Sequence, residues 1–149
     1  RSGITGLYAL PSVSEAQKRD AQTIMSAVGK TLWLRNEEMM DAVTAVSGSG
    51  PAYVFYFIEA MQQAARELGF DEKDARSLVL DTFIGATKLA ESSKENASEL
   101  RARVTSKNGT TERALLSMEG HAVKQHIIAA LHAAAARSQE LGEEFGKEK

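Results

Sequence analysis

The chain has 149 residues and no cysteine. That absence excludes a disulfide framework, a thiolate metal site and a cysteine nucleophile, and it fits a reducing compartment. No charge of one sign dominates either. Eighteen basic and 20 acidic residues give a formal net charge of -2 and a pI near 6.0, leaving no field to steer nucleic acid or an anionic membrane. Long apolar runs are missing as well: the longest, Ala52 to Ile58, falls far short of the ~20 residues of a membrane span. The N-terminus carries no charged-then-apolar leader pattern. Together these absences lead to the expectation of a cytoplasmic protein of about one domain with no nucleic-acid or membrane partner. The first residue is Arg1 rather than Met, which leads to the further expectation of a fragment or processed product.

What is present begins with Gly3 to Leu10, a β-branched and aromatic segment that stops at Pro11 and reads as a short strand. Ser14 then offers a helix cap, Ala16, Ile24, Met25 and Val28 give an apolar face, and Gly29 reads as the helix-to-turn signal. Thr31 to Leu34 is a second strand. A strand-helix-strand unit of this size cannot bury its own faces, so it is expected to be partly disordered, repacked or paired with another chain.

From Asn36 onward the texture is helical. A helix is expected over Glu37 to Val46, opened by Asn36 and ended by Ser47-Gly48-Ser49-Gly50; the next starts at Pro51 and stops at Gly69. Its first half, Ala52 to Ile58, is apolar on every side, which requires burial in a core or between subunits. Asp71 caps a third helix with an apolar stripe through Ala75, Leu78, Val79, Phe83 and Leu89. Gly85 within it points to close approach of another backbone. A short helix opens at Asn96 or Ser98, another runs through Met118 and is broken by Gly120, and the last covers Val123 to Phe145. The spacing of Ile127, Leu131, Ala134, Ser138, Leu141 and Phe145 is heptad-like beside four alanines, Ala133 to Ala136. That seam suits either an interface helix or one buried within a monomer. The charged tail from Glu143 is expected to fray.

Three constellations bear on chemistry. Gly48-Ser49-Gly50 opens like a dinucleotide fingerprint, but Tyr53 stands where the third glycine belongs and a helix precedes it instead of a strand; it reads as a helix-to-helix turn. Thr105-Ser106-Lys107-Asn108-Gly109-Thr110-Thr111 precedes an amphipathic helix and offers hydroxyls and backbone N–H groups at its positive end, an anion site for a small carboxylate or phosphate. The alternative is that Thr110 or Ser106 caps its own helix. His121, His126 and His132 are spaced five and six apart, so no pair shares a helical face and no metal is expected.

Asp41-Ala42-Val43-Thr44-Ala45-Val46-Ser47-Gly48-Ser49-Gly50-Pro51-Ala52-Tyr53, followed about fifty residues later by Val104-Thr105-Ser106-Lys107-Asn108-Gly109-Thr110-Thr111, closely resembles pyrroline-5-carboxylate reductase, and the resemblance extends over nearly the whole chain. It implies a mainly all-α fold: a helical dimerisation and substrate-binding domain over residues 37–149, after a strand-helix-strand remnant of a Rossmann domain over residues 1–36. It implies an oxidoreductase of proline biosynthesis, reducing 1-pyrroline-5-carboxylate to L-proline with NADPH or NADH, in a homodimer or larger homo-oligomer. By this resemblance Ser106, Gly109, Thr110 and Thr111 hold the substrate carboxylate, and Thr44 lies near the ring nitrogen as the catalytic hydroxyl. No cofactor-binding residue falls in this chain, which alone is expected to be inactive. The commoner family loop is Ser-Pro-Gly-Gly-Thr-Thr; here Lys107-Asn108 replace Pro-Gly, and Asn108 is expected to keep the turn by going left-handed. Two alternatives stay open: a non-catalytic helical dimerisation module, and a reductase of another cyclic imino acid.

Overall fold

The computed structural model describes residues 3–147. The chain is mainly helical, with a short parallel pair of strands at its start. β1 (Gly3–Leu7), α1 (Glu15–Ser26) and β2 (Gly29–Trp33) form the expected strand-helix-strand unit. The strands pair in parallel, Ile4 opposite Lys30 and Gly6 opposite Leu32, and Leu34 N–H donates to Leu7 O at 2.8 Å to extend the ladder. Ser14 caps α1 with Gln17 in a reciprocal capping box, and Trp33 Nε1 donates to Gln22 Oε1 at 3.0 Å, tying β2 to the helix. Residues 3–33 thus form one connected strand-helix-strand unit. Gly29 also corrects its reading: α1 ends at Ser26 with Ala27 as its cap, and Gly29 opens β2. A Cβ there would run into Gly3 O of the neighbouring strand, so close backbone approach explains the glycine.

α2 is shorter than expected, Met39–Val43, although Asn36 Oδ1 does accept from Met39 N–H at 3.2 Å. The chain then continues through a π-helical turn, Thr44–Gly48, straight into α3, Gly50–Glu67. Ser47-Gly48-Ser49-Gly50 therefore does not end a helix; it carries a wider turn, and Pro51 lies inside the first turn of α3, not at its start. Next come α4 (Glu72–Ser92), α5 (Ala97–Arg103), α6 (Thr110–Gly120) and α7 (Val123–Gly146). Asp71 caps α4. Asn96 and Glu99 form a capping box on α5. α7 runs through Gly146, and Arg137 pairs with Glu140 and Glu144, each at 2.9 Å, along its last turns. Glu148 and Lys149 lie outside the described residues.

The chain divides into two compact units, one comprising residues up to Pro51 together with those from Ala129, the other Ala52–Ile128. The boundary expected at residue 36 falls inside the first. That unit buries Leu34 and Ala45; the second buries Ala75 and Val79. No other apolar side chain is buried among the described residues. Phe55 and Tyr56 on α3 are 66% and 72% exposed, whereas Tyr53, Phe57 and Ile58 are half-buried, so one side of that apolar end finds no cover among the described residues. A Cβ on Gly85 would meet nothing within 4 Å, so no backbone of the other described elements approaches it.

Ala122, between α6 and α7, has φ 54°. A Cβ in the left-handed region costs about 1–2 kcal/mol, against about 0.5–1 kcal/mol for the extra freedom of glycine in the unfolded chain. Ala122→Gly is expected to stabilise the protein by about 0.5–1 kcal/mol, raising Tm by about 1–4 °C at fixed protein concentration in a calorimetric scan. A fall in Tm would contradict this account of the turn.

Candidate functional site

The loop between α5 and α6 is built by three local bonds. Thr105 Oγ1 donates to Arg101 O at 2.6 Å and closes the end of α5. Gly109 N–H donates to Ser106 O at 3.1 Å, making a tight turn across Lys107 and Asn108. Asn108 takes φ 61°, the left-handed conformation expected of the residue that replaces glycine. Its N–H donates to Glu112 Oε2 at 2.6 Å, so a carboxylate from the first turn of α6 reaches back to hold the loop. Sequence reasoning missed Glu112, though an acid at the start of a helix was a visible signal.

The start of α6 differs from those of the other capped helices. α1, α4 and α5 open on Ser14, Asp71 and Asn96, whose side-chain oxygens each accept a first-turn N–H. α6 opens on Gly109, extended at φ -85° and ψ 174°, and no side chain caps it. Neither Ser106 nor Thr110 serves as a cap, which removes the alternative weighed above. The first-turn amides of Thr110, Thr111 and Glu112 have no intrahelical acceptor. They emerge beside the hydroxyls of Ser106, Thr110 and Thr111, all exposed, at the positive end of the helix. This arrangement can take a small anion: it supplies donors and a partial positive charge, and Gly109 leaves the backbone bare.

Thr44 lies in the first unit, at the first residue of the π turn, and is exposed. The turn closes with Ser49 N–H donating to Thr44 O at 2.8 Å, five residues back. Such turns recur at functional sites because the extra residue frees backbone and side chains from the α ladder. The Thr44 hydroxyl donates to Met40 O at 2.9 Å. A hydroxyl has one proton, so Thr44 Oγ1 faces any further partner as an acceptor. Ser106 and Gly109 lie in the loop and Thr110 and Thr111 open α6, whereas Thr44 lies in the other unit.

A dinucleotide does not fit the described residues. Gly48 and Gly50 belong to helical turns, and the segment from β1 to α1, Tyr8 to Ser14, contains no glycine to cradle a pyrophosphate. A cavity of about 400 Å³ lies at the carboxyl ends of β1 and β2, lined by Leu10, Val13, Trp33 and Glu37 among others. The rule that ligands sit at the carboxyl ends of parallel strands was the signal for it. No step is assigned there. Among the described residues no three His, Asp or Glu side chains assemble as a metal set, and no helix is long and apolar enough to cross a membrane.

Comparison with known proteins decides the family. Residues 37–141 match the family described as pyrroline-5-carboxylate reductase dimerisation. The chain belongs to that family. It is 48% identical over 147 residues to the pyrroline-5-carboxylate reductase of Pseudomonas aeruginosa, covering 99% of this chain and 54% of the relative. The corresponding reductase of Haemophilus influenzae is 44% identical, over 93% of this chain and 52% of the relative. The chain thus spans about half the length of the curated relatives it matches. Among solved structures, the pyrroline-5-carboxylate reductase of Coxiella burnetii superposes with a TM-score of 0.88 at 41% identity, over 94% of this chain and 52% of that one. The Plasmodium falciparum pyrroline carboxylate reductase, solved with NADP bound, gives 0.84 at 29% identity over 92% and 53%. The fold of the pyrroline-5-carboxylate reductase family is therefore that of nearly the whole chain.

Proposed function

We propose that this chain is the substrate-anchoring and dimer-forming part of a pyrroline-5-carboxylate reductase, an oxidoreductase that uses NADPH or NADH to reduce the C=N bond of 1-pyrroline-5-carboxylate to L-proline. In this reading residues 1–36 close a cofactor domain, residues 37–149 form the helical domain, and the protein works in the cytoplasm as a homodimer or larger homo-oligomer. The uncapped start of α6 carries the reading. The substrate carboxylate supplies the acceptor that Gly109 cannot: it lies against the amides of Thr110 and Thr111, with hydroxyls from Ser106, Thr110 and Thr111 around it. Charge-assisted hydrogen bonds of this kind are the strong ones.

In this reading Thr44 is the hydroxyl near the ring nitrogen. Because its proton is given to Met40 O, its free lone pairs suit the N–H of a protonated imine, which arrives already polarised at the carbon to be reduced. The residue's work is then orientation, not proton donation. The nicotinamide supplies hydride when bound to the intact enzyme; the residues that cradle it are not those described here. The 149-residue chain alone binds and dimerises without turning over.

Thr111→Ala, made in the enzyme that includes the cofactor domain, tests the anchor. Loss of one hydrogen bond to a carboxylate costs about 1.5–3 kcal/mol, or about ten- to a hundredfold in affinity. KM for pyrroline-5-carboxylate and Kd for proline are expected to rise by that factor, with kcat changing much less. An unchanged Kd for proline would sink the assignment.

A further inference from the structure

α2 has only five residues, too few to hold a helix in place on their own, so contacts beyond it must fix where the following turn sits. Three are visible. Ser138 Oγ on α7 donates to Asp41 Oδ1 at 2.6 Å, a partly buried bond that spans 97 positions of sequence. Ala45, four residues after Asp41 and on the same face of the helix, is 1% exposed. Val43 packs on β1 where Gly6 leaves room: a Cβ on Gly6 would lie 3.1 and 3.3 Å from the two Val43 methyls. Asp41, Val43 and Ala45 are thus anchored, and between them Thr44 stays exposed, its hydroxyl turned back to Met40 O.

We infer that the Asp41–Ser138 bond is a clamp that positions Thr44, making Asp41 and Ser138 positioning residues for the reaction although neither touches the substrate. The inference rests on the reading of Thr44 as the partner of the ring nitrogen. Apolar packing of Val43 and Ala45 sets the depth of α2 but permits rotation and sliding; a short hydrogen bond between a hydroxyl and a carboxylate is directional. It fixes the turn from the α7 side. The clamp also bears on the π turn, because the carbonyl that closes it, Thr44 O, belongs to the residue being held.

The test uses the intact enzyme with its cofactor domain. Ser138→Ala is expected to lower kcat about tenfold, since small misplacements of an orienting group are costly, while KM for pyrroline-5-carboxylate changes less than about twofold. Hydrogen exchange at the Ser49 amide, which reports closure of the π turn without reference to activity, is expected to quicken about tenfold. Ser138→Thr keeps the hydroxyl and Asp41→Asn keeps an acceptor oxygen, so both are expected to stay near the parent enzyme. Combining Asp41→Ala with Ser138→Ala should be no worse than either alone. The inference is overturned by Ser49 exchange that is unchanged in Ser138→Ala, by failure of threonine to rescue, or by a normal kcat in Ser138→Ala where Thr44→Val lowers it. Should Thr44→Val leave kcat unchanged, the assignment of Thr44 and its positioning fall together, and Ser49 exchange then reports only whether the bond holds the turn.

Discussion

Phe55→Glu is expected to convert the proposed dimer into a monomer. Phe55 and Tyr56 stand exposed on the segment of α3 that is apolar on every side, and the family to which the chain belongs is described by its dimerisation. Burying a phenylalanine contributes about 1.5–3 kcal/mol, and twofold symmetry counts every substitution twice. Glutamate also carries an unpaired charge into the contact, which raises the penalty further. The dimer should weaken by about 6 kcal/mol or more, over 10⁴-fold in its dissociation constant. Light scattering or sedimentation at micromolar concentration would read this directly. A dimer of undiminished stability would place the interface elsewhere and leave the exposure of α3 without explanation.

Gly109→Ala is expected to strip the proposed anion site of its affinity while leaving the fold intact. The added Cβ would collide with Ser106 Oγ and lie 3.1 Å from Ser106 O. The hydroxyl can rotate away and the carbonyl can give by a few tenths of an ångström, so the helices need not move. Either response withdraws Ser106 from the proposed carboxylate position and disturbs the turn that sets out the α6 amides. One or two charge-assisted hydrogen bonds lost at about 1.5–3 kcal/mol each predicts proline binding weakened at least tenfold. An NMR titration with proline would measure it. In a Ser106→Ala background the same change should cost much less, because the group it displaces is gone. Full additivity of the two losses would contradict the steric account.

Local signals in the sequence were sufficient where the physics is local. Ser14 and Asp71 were readable as caps, and Asn96 as one of two candidates with Ser98, because capping needs only a side-chain oxygen and an amide two or three residues away. The left-handed Asn108 followed from the same short-range reasoning. Gly29 and the Ser47-to-Gly50 turn were misread because glycine has several uses. Which one applies depends on a neighbour: Gly3 O for the first, and for the second a five-residue hydrogen bond that no composition rule anticipates. In the candidate site the loop from Ser106 to Thr111 was legible as a segment. That its helix lacks a cap was not, because Ser, Asn and Thr all stood within reach and only the backbone path decides among them. Asp41 and Ser138 carry no joint signal at 97 positions apart.

The first compact unit has a further property. It is assembled from two ends of the chain, residues up to Pro51 and those from Ala129 onward, whereas the second is continuous from Ala52 to Ile128. Closing contacts across such a separation is entropically slow. A chain emerging from the ribosome can complete the continuous unit first, but Asp41 must wait for Ser138 until α7 has been made. The order of synthesis therefore leaves the Thr44 turn among the last parts of the molecule to reach its final form, and a protein stopped short before α7 would be synthesised without the means to set it.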